Sequence, residues 1–586
     1  MMKRLKYGFV VTLITTLLFL VGCFRRNTNE EIKTKFNEAN LILLLENEST
    51  DKINSPFELV MTFQDYDISW KSNRDAAKIS GKNVSITQGA VDVDVSLEAS
   101  IVVNKEVITR IIQITIIKDG GSTVETRKGT FNRAYPAYYQ LGVPLIEDAH
   151  VIYINWDGFA HYYLEEFFQT EAGKNSTLYK LKEEGVYFPN LKNTFPSITN
   201  PVQNQILSGG TSLITKNIYR YYDKNTNQVI QQQRENEALI LPQVTVEAGL
   251  STVSIHMYLA EQYLTGTDIN KLYITADSTN PKVIERNKFG DHFARMEQAI
   301  KMVKGEPVLV GGETFVFEQM PKFTIIYADD LDGVGHNESG SYDYPVATTE
   351  LGRRANIQTL LTEMDEKLGE FIEAAKERGI YDKLTFFLTT DHGMSPFGSR
   401  GSDETMDYGT TKLHKLIADV KSYNSTYNLQ RVQPGQTPAS KTNIVGVSGN
   451  LNMFMTFKQT ITDAELESFK TYLLTLPYVY EVYTRNDLAL EYMDVKDVDI
   501  LVVPKLHYSF VDTSPLNTIS VRAQHDTTLP EANHVPGFIW GKGIKKNYEY
   551  VDVAYNYDFG ITMAAALGVD LPEANGLVLD IFESGR

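Results

Sequence analysis

The spacing of apolar positions divides the chain into three textures. From about Asn40 to Lys118, short stretches alternate apolar and polar residues, as in Val91–Leu97 (VDVDVSL) and Thr109–Ile117 (TRIIQITII). Side chains on a strand point alternately to its two faces, so this period of two predicts half-buried β-strands and a small sandwich. From His150 onward, solid apolar runs alternate with long stretches of helical period. Val151–Trp156, Phe323–Tyr327 and Leu384–Leu388 read as strands buried on both faces. Asn356–Arg378 reads as a helix, with Leu360, Leu361, Met364, Leu368 and Phe371 on one side. Such alternation predicts an α/β fold: a mainly parallel sheet with helices on both faces. Between Phe397 and Pro515 the texture is more polar. Ile461–Leu466 opens a helix there, and the stretch is read as an inserted cap-like subdomain.

The first residues follow another pattern. Lys3, Arg4 and Lys6 precede an apolar run, Tyr7–Val21, which ends at Leu20-Val-Gly-Cys23. Charge, length and the small residue before the cysteine predict a signal peptide over residues 1–22. The motif resembles the lipobox of bacterial lipoproteins, which implies cleavage before Cys23, lipidation of its sulfur and an extracytoplasmic protein anchored to a membrane. Residues 23–39 then read as the tether, 40–120 as the sandwich and 148–586 as the α/β domain. Cys23 is the one cysteine in the chain, so disulfides and thiolate chemistry are excluded from the exported part. At 586 residues, two or more domains are expected. The formal net charge of −18 opposes general binding of polyanions, so no stable nucleic-acid partner is expected.

Three of the apolar strands finish on acids. Val151–Trp156 runs into Asp157-Gly158, Phe323–Tyr327 into a stretch holding Asp332 and His336, and Leu384–Leu388 into Asp391-His392-Gly393. Residues just past the carboxyl ends of parallel strands gather on one edge, where ligands bind. One Asp-Gly after a strand is ordinarily a turn or a helix cap; three acid-bearing ends in order are not. Carboxylates crowded in one cleft repel, and a divalent cation removes the repulsion. A donor set of imidazole and carboxylate without sulfur suits zinc or manganese better than calcium.

A hydroxyl candidate lies in Asn193–Gly210 (NTFPSITNPVQNQILSGG). Pro201 suits the first turn of a helix, which puts Thr199 at its start, facing unpaired N–H groups that favour a phosphate. Read alone, Thr199 serves equally as a plain N-cap, and Thr194 and Ser197 are close by.

Taken together, Asn155–Gly158, Phe195–Pro201 with Ser208-Gly209, Tyr327–His336, Thr390–Met394 and His525–Pro536 resemble the alkaline phosphatase superfamily, most closely its type I phosphodiesterase/nucleotide pyrophosphatase branch. The resemblance spans about Val151 to Gly543. It implies an alkaline phosphatase-like fold and a metal-dependent hydrolase of phosphodiester or nucleotide pyrophosphate bonds. The alternative on the same site is a phosphomonoesterase or phosphonate hydrolase. It also implies the roles. Thr199 would be the nucleophile. Asp157, Thr199, Asp391 and His392 match the ligands of one metal, and Asp332, His336 and His525 those of a second, both expected to be zinc. His534 competes with His525. The branch carries an asparagine after the nucleophile helix that donates to the phosphoryl group; here its place falls on Tyr219, with Asn217 and Arg220 beside it, so these three are the substrate-binding candidates. Lys216 or Arg220 would be the cation that a monoester dianion needs. The expected partners are a small phosphate ester or nucleotide as substrate and the membrane through the lipid.

Overall fold

In the computed structural model the described residues are 29–583, apart from 46, 48, 51, 75, 88–92, 118–135, 137, 276–291, 338–343, 398–410, 450, 491–492 and 511–520. The signal peptide, Cys23 and the linker after Lys118 fall outside them. The chain forms two compact units, the first within Met1–Glu125 and the second running from Tyr138 to Arg586. Among the described residues no helix is long and apolar enough to cross a membrane.

The first unit is β-rich. Ser69–Ser72, Val93–Val103 and Glu106–Ile116 form one antiparallel sheet; Ile42–Leu43, Phe57–Leu59, Asn83–Ile86 and Ala77–Ser80 form another. Phe57, Leu59 and Val84 from one sheet share a core with Val95, Leu97, Ile114 and Ile116 from the other. The segment expected to be a tether differs from its reading. Asn29–Glu38 is a helix whose Ile32 and Phe36 are buried against Ala99, Ile101, Val103 and Ile108. Two apolar residues four apart make a face just wide enough to dock one short helix. A longer apolar period, the usual signal, is missing.

The second unit is built on a mixed eight-stranded sheet. In chain order its strands are β1 (His150–Trp156), β2 (Gly185–Tyr187), β3 (Thr252–Ile255), β4 (Lys271–Ile274), β5 (Phe323–Ala328), β6 (Leu384–Thr389), β7 (Phe538–Gly541) and β8 (Tyr548–Glu549). In space they run β4-β3-β5-β1-β6-β7-β2-β8. The block β4-β3-β5-β1-β6 is parallel; β7 runs against both β6 and β2. Ile152, Ile154 and Trp156 of β1 point to one face, into a core with Met296 and Met302 of helix α2 (His292–Lys304) and Leu361 and Met364 of helix α4 (Glu350–Glu377). The other face carries helix α1 (Thr199–Ser208) and helix α5 (Asn556–Leu567), which pack on each other. They pack backbone to backbone. A Cβ on Gly560 would stand 1.8 Å from the Ile206 carbonyl oxygen, so only glycine fits there.

Residues 413–510 form a second sheet, Leu429–Arg431, Ile444–Val447, Met453–Phe457, Ile500–Pro504 and Val479–Thr484 in spatial order. Helices Leu413–Tyr423 and Asp463–Leu474 cover one face. Thr462 and Glu465 start the latter with a reciprocal capping box, which is what made it legible in sequence. The other face packs on the hairpin Arg220–Asp223/Gln228–Gln231 and on Phe195. This region is an excursion between the two strands of a short ribbon, Ser395–Phe397 and Arg522–Gln524.

Candidate active site

β5, β1 and β6 are neighbours in that order, with Trp156 opposite Ala328 and Asn155 opposite Thr389. The residues following each strand therefore emerge level with one another. Asp157 follows β1. Asp332 and His336 lie four apart on helix α3 (Asp330–His336), which starts just past β5, and so share a helix face. Asp391 and His392 follow β6. His525 comes from much later in the chain. It is delivered by the ribbon, where Ser395 pairs with Gln524.

The result is two adjoining groups: Asp157, Asp391 and His392, and Asp332, His336 and His525. Within each, the possible ligand atoms lie within 4.8 Å of one another. His392 Nε2 is 3.4 Å from Asp157 Oδ1 and 3.5 Å from Asp391 Oδ2. Asp332 Oδ1 is 3.2 Å from His336 Nε2 and 3.6 Å from His525 Nε2. The two groups meet where the His392 and His525 rings stack, 3.6 Å between centroids. Gly158 makes the closeness possible. Its φ is +77°, and a Cβ there would stand 2.5 Å from the Asp332 Cα.

Each imidazole is oriented from behind. A backbone carbonyl can only accept, so His336 Nδ1 donates to Ala523 O (2.9 Å), His525 Nδ1 to Ser197 O (2.9 Å) and His392 Nδ1 to Gly393 O (3.1 Å). That directs Nε2 of all three at the carboxylates, the arrangement of a metal-ligating histidine. The carboxylates are divided the same way. Tyr327 donates to Asp157 Oδ2, and the His392 N–H donates to Asp391 Oδ1 at 2.9 Å. The opposite oxygens, Asp157 Oδ1 and Asp391 Oδ2, are buried without a hydrogen-bond partner, as is Asp332 Oδ1. Buried polar oxygens without partners are costly. Three of them, directed at imidazole nitrogens, fit cations.

The electrostatics agree. Burial, and then the neighbouring carboxylates, push Asp157 well above the usual carboxylate range; burial likewise raises Asp391. Burial lowers His392 to about 4 and His525 to about 3, so both rings are neutral near pH 7. For Asp332, burial pushes upward but is outweighed by His336, His525 and His392, which hold it below the ordinary value. Compensating positive charge would let Asp157 and Asp391 ionise as well.

Arg353 ties the two groups together. It is fully buried and paired through two bonds with Glu350. It donates to Gly335 O, beside His336, at 2.9 Å, and to the Tyr162 hydroxyl at 2.9 Å. Tyr162 in turn donates to Met394 O, just past His392. The pattern of the sequence offered no sign of this role, because an Arg at the start of a helix is ordinarily exposed.

Of the three hydroxyl candidates, Thr199 alone faces this site, with Oγ1 3.1 Å from His392 Nε2. It is the first residue of α1, while Ile198 occupies the cap position, so it is no N-cap. Ser197 is fully buried and bonds Asn193 and Ala532. Thr194 bonds Gln205. Of the two competing histidines, His534 donates to Pro189 O and stacks on His161, away from either acid group.

The substrate-binding candidates sit otherwise than expected. The Asn217 amide donates to Gln233 O and Glu235 O and accepts from the Tyr219 N–H, so its capacity is used inside its own loop. Arg220 reaches Ser448 O and Gly449 O of the inserted region, and stacks on the Tyr219 ring. Lys216 lies 3.9 Å from Asp494. The loop thus fastens the inserted region to α1's surroundings. Asp526, the residue after His525, serves the same contact by accepting from the Leu451 N–H.

The profile of a family described as type I phosphodiesterase/nucleotide pyrophosphatase matches residues 151–520. Solved structures of similar course include human ectonucleotide pyrophosphatase/phosphodiesterase 5, which is 14% identical, with 73% of this chain and 97% of that one covered and a TM-score of 0.47. Its murine counterpart gives the same identity and coverage with a TM-score of 0.46, as does an inactive variant of it in complex with AMP. No curated protein matches the chain in sequence.

Proposed function

The chain belongs to the type I phosphodiesterase/nucleotide pyrophosphatase family, a hydrolase branch of the alkaline phosphatase superfamily, and on that premise we propose that it cleaves phosphodiester or nucleotide pyrophosphate bonds through Thr199 and two divalent cations. The observation that carries this reading is the Thr199 hydroxyl on His392, at the junction of two acid–imidazole groups. Asp157, Asp391 and His392, with Thr199, would hold one cation, and Asp332, His336 and His525 the other. The nitrogen-rich set favours zinc. When bound, the ions supply positive charge that eases deprotonation of threonine and water and offsets charge on the phosphoryl oxygens.

Thr199 Oγ attacks phosphorus, the bond to the leaving oxygen breaks, and a phosphoryl-threonine ester forms. Water then attacks the same phosphorus, and the Thr199 Oγ–phosphorus bond breaks to return the hydroxyl. The first N–H groups of α1 point toward the phosphoryl oxygens. A diesterase is favoured over a monoesterase because Lys216 and Arg220, the expected cations for a dianion, bind Asp494 and the inserted region instead. Residues 1–22 as a signal peptide, Cys23 as a lipidated anchor, and an extracytoplasmic location belong to the same reading. So do the immunoglobulin-like character of residues 40–120 and a cap role for 397–515.

The test uses zinc-loaded protein with bis(p-nitrophenyl) phosphate and p-nitrophenyl phosphate. Wild type should prefer the diester. Thr199→Ala should lose turnover by about 10³-fold or more while unfolding at the same temperature. Full turnover by that variant would rule the mechanism out, and preference for the monoester would replace it with a phosphatase.

A further inference from the structure

One wall of the site beside Thr199 remains without a role. Asn200, the next residue of α1, accepts from the Tyr258 hydroxyl through Oδ1 at 2.5 Å, while its Nδ2 lies 3.4 Å from Gln233 Oε1. The Tyr258 ring stands edge-on to Tyr327, 5.7 Å between centroids, and Tyr327 donates to Asp157. Burial, with Asp157 and Asp391 nearby, raises the Tyr258 phenol, so it remains a donor. On the Tyr258 ring lies Arg234, its guanidinium carbon 4.8 Å from the ring centroid. The side chain is 57% exposed, and one nitrogen is 3.3 Å from Glu261 Oε2. Arg234 is held beside α1 from the backbone side, since the carbonyls of its neighbours Gln233 and Glu235 accept from Asn217 and from Asn204 of α1. A continuous path of contacts thus runs from Asp157 through Tyr327 and Tyr258 to an exposed guanidinium.

We propose that Arg234 is the specificity-determining cation of the site, binding a second phosphoryl group next to the one that Thr199 attacks, so that the preferred substrates are pyrophosphate esters rather than simple phosphodiesters. The proposal rests on the reading of Thr199 above and adds the residue that selects between its two substrate classes. Three features support it. The guanidinium forks naturally onto phosphate oxygens. Its face is braced by Tyr258 through a cation–π contact, which limits the freedom lost on binding. Its carboxylate partner among the described residues, Glu261, is half exposed and therefore a weak competitor. In a molecule of net charge −18, a local cation is also what would let a polyanionic substrate approach. Attack on the α-phosphorus of a nucleoside triphosphate would break the α–β P–O bond. The bond's electron pair would leave with pyrophosphate, whose near phosphoryl group Arg234 holds.

The experiment compares wild type, Arg234→Ala and Arg234→Lys, zinc-loaded, on ATP and on bis(p-nitrophenyl) phosphate. Arg234 is a surface residue, so the variants keep the fold. Arg234→Ala should lower kcat/KM for ATP about 10- to 100-fold, the loss expected on removing charge-assisted hydrogen bonds. Its effect on the diester should stay within about threefold, and lysine should restore part of the ATP rate. Equal losses on both substrates, or an unchanged ATP rate, would overturn the proposal. Wild type cleaving neither substrate would instead sink the underlying hydrolase reading. Calorimetry with inorganic pyrophosphate would then decide about Arg234: tenfold weaker binding by Arg234→Ala supports it, and equal binding overturns it.

Discussion

The two acid–imidazole groups have nearly the same composition and opposite surroundings. Asp157, Asp391 and His392 have side chains 2% exposed or less, whereas Asp332 and His336 are 20% and 18% exposed. Each acid of both groups keeps one oxygen without a hydrogen-bond partner, but only in the first group does burial raise the acids. In the second the acid is already offset by imidazoles, and its ionised form is favoured. The buried group has no low-energy charged state unless a cation supplies it. The second group, in which Asp332 and His336 are partly accessible, can share its charge with water and exchange more readily. The first is suited to holding an ion that activates Thr199 without releasing it; the second to a position that water and product must enter and leave.

The sharpest way to break this contrast is to neutralise one acid in each group. Asp157→Asn should lower turnover by roughly 10³-fold, the scale of several kcal/mol of lost charge stabilisation, and should abolish tight binding of one ion. Asp332→Asn should lose turnover comparably but weaken metal affinity less, since its group depends less on the ion. Equal losses of affinity, read by chelator competition, would remove the distinction. Chelation of the wild type comes next. Zinc should leave in two stages, activity should fall with the first, and zinc should restore it better than magnesium. Full activity with magnesium alone would reject the nitrogen-rich assignment.

A smaller effect is expected behind the groups. Arg353→Met removes the bonds to Gly335 O and Tyr162 and leaves Glu350 buried without its partner. Metal affinity should fall about 10- to 100-fold, the range for outer-shell partners, with stability lower by about 3–5 kcal/mol. Unchanged affinity in a destabilised variant would mean that Arg353 only holds the fold. The smallest effect belongs to the loop. Asn217→Ala should change kcat/KM for the simple diester less than about threefold while costing about 1–3 kcal/mol, because it strands the Gln233 and Glu235 carbonyls. A loss on the scale of Asp157→Asn would return Asn217 to the substrate.

The parts legible in sequence share one property: each depends on residues near each other in the chain. Strand ends with an acid, the i, i+4 pair Asp332 and His336, and the capping box at Thr462 are local patterns, and local geometry fixes what they do. The loop at 216–220 failed for the reason these succeeded. Which way Asn217 or Arg220 turns depends on carbonyls at 233, 235, 448 and 449, which no local pattern contains. The helix at Asn29–Glu38 was missed because only two apolar residues dock it.

By itself, then, the order of residues determined the alternation of strands and helices, the acids at three strand ends and the family to which the chain belongs. Tertiary structure alone decided the rest. The sheet order β5-β1-β6 sets Asp157 between the other two ends, and the ribbon at Ser395 and Gln524 returns His525 after an excursion of more than a hundred residues. Arg353 is buried behind both groups, and Arg234 stands over the ring of Tyr258. The physical reason is that burial and pairing come from segments far apart in the chain, and those two properties, more than residue type, decide what an acid or an arginine is free to bind.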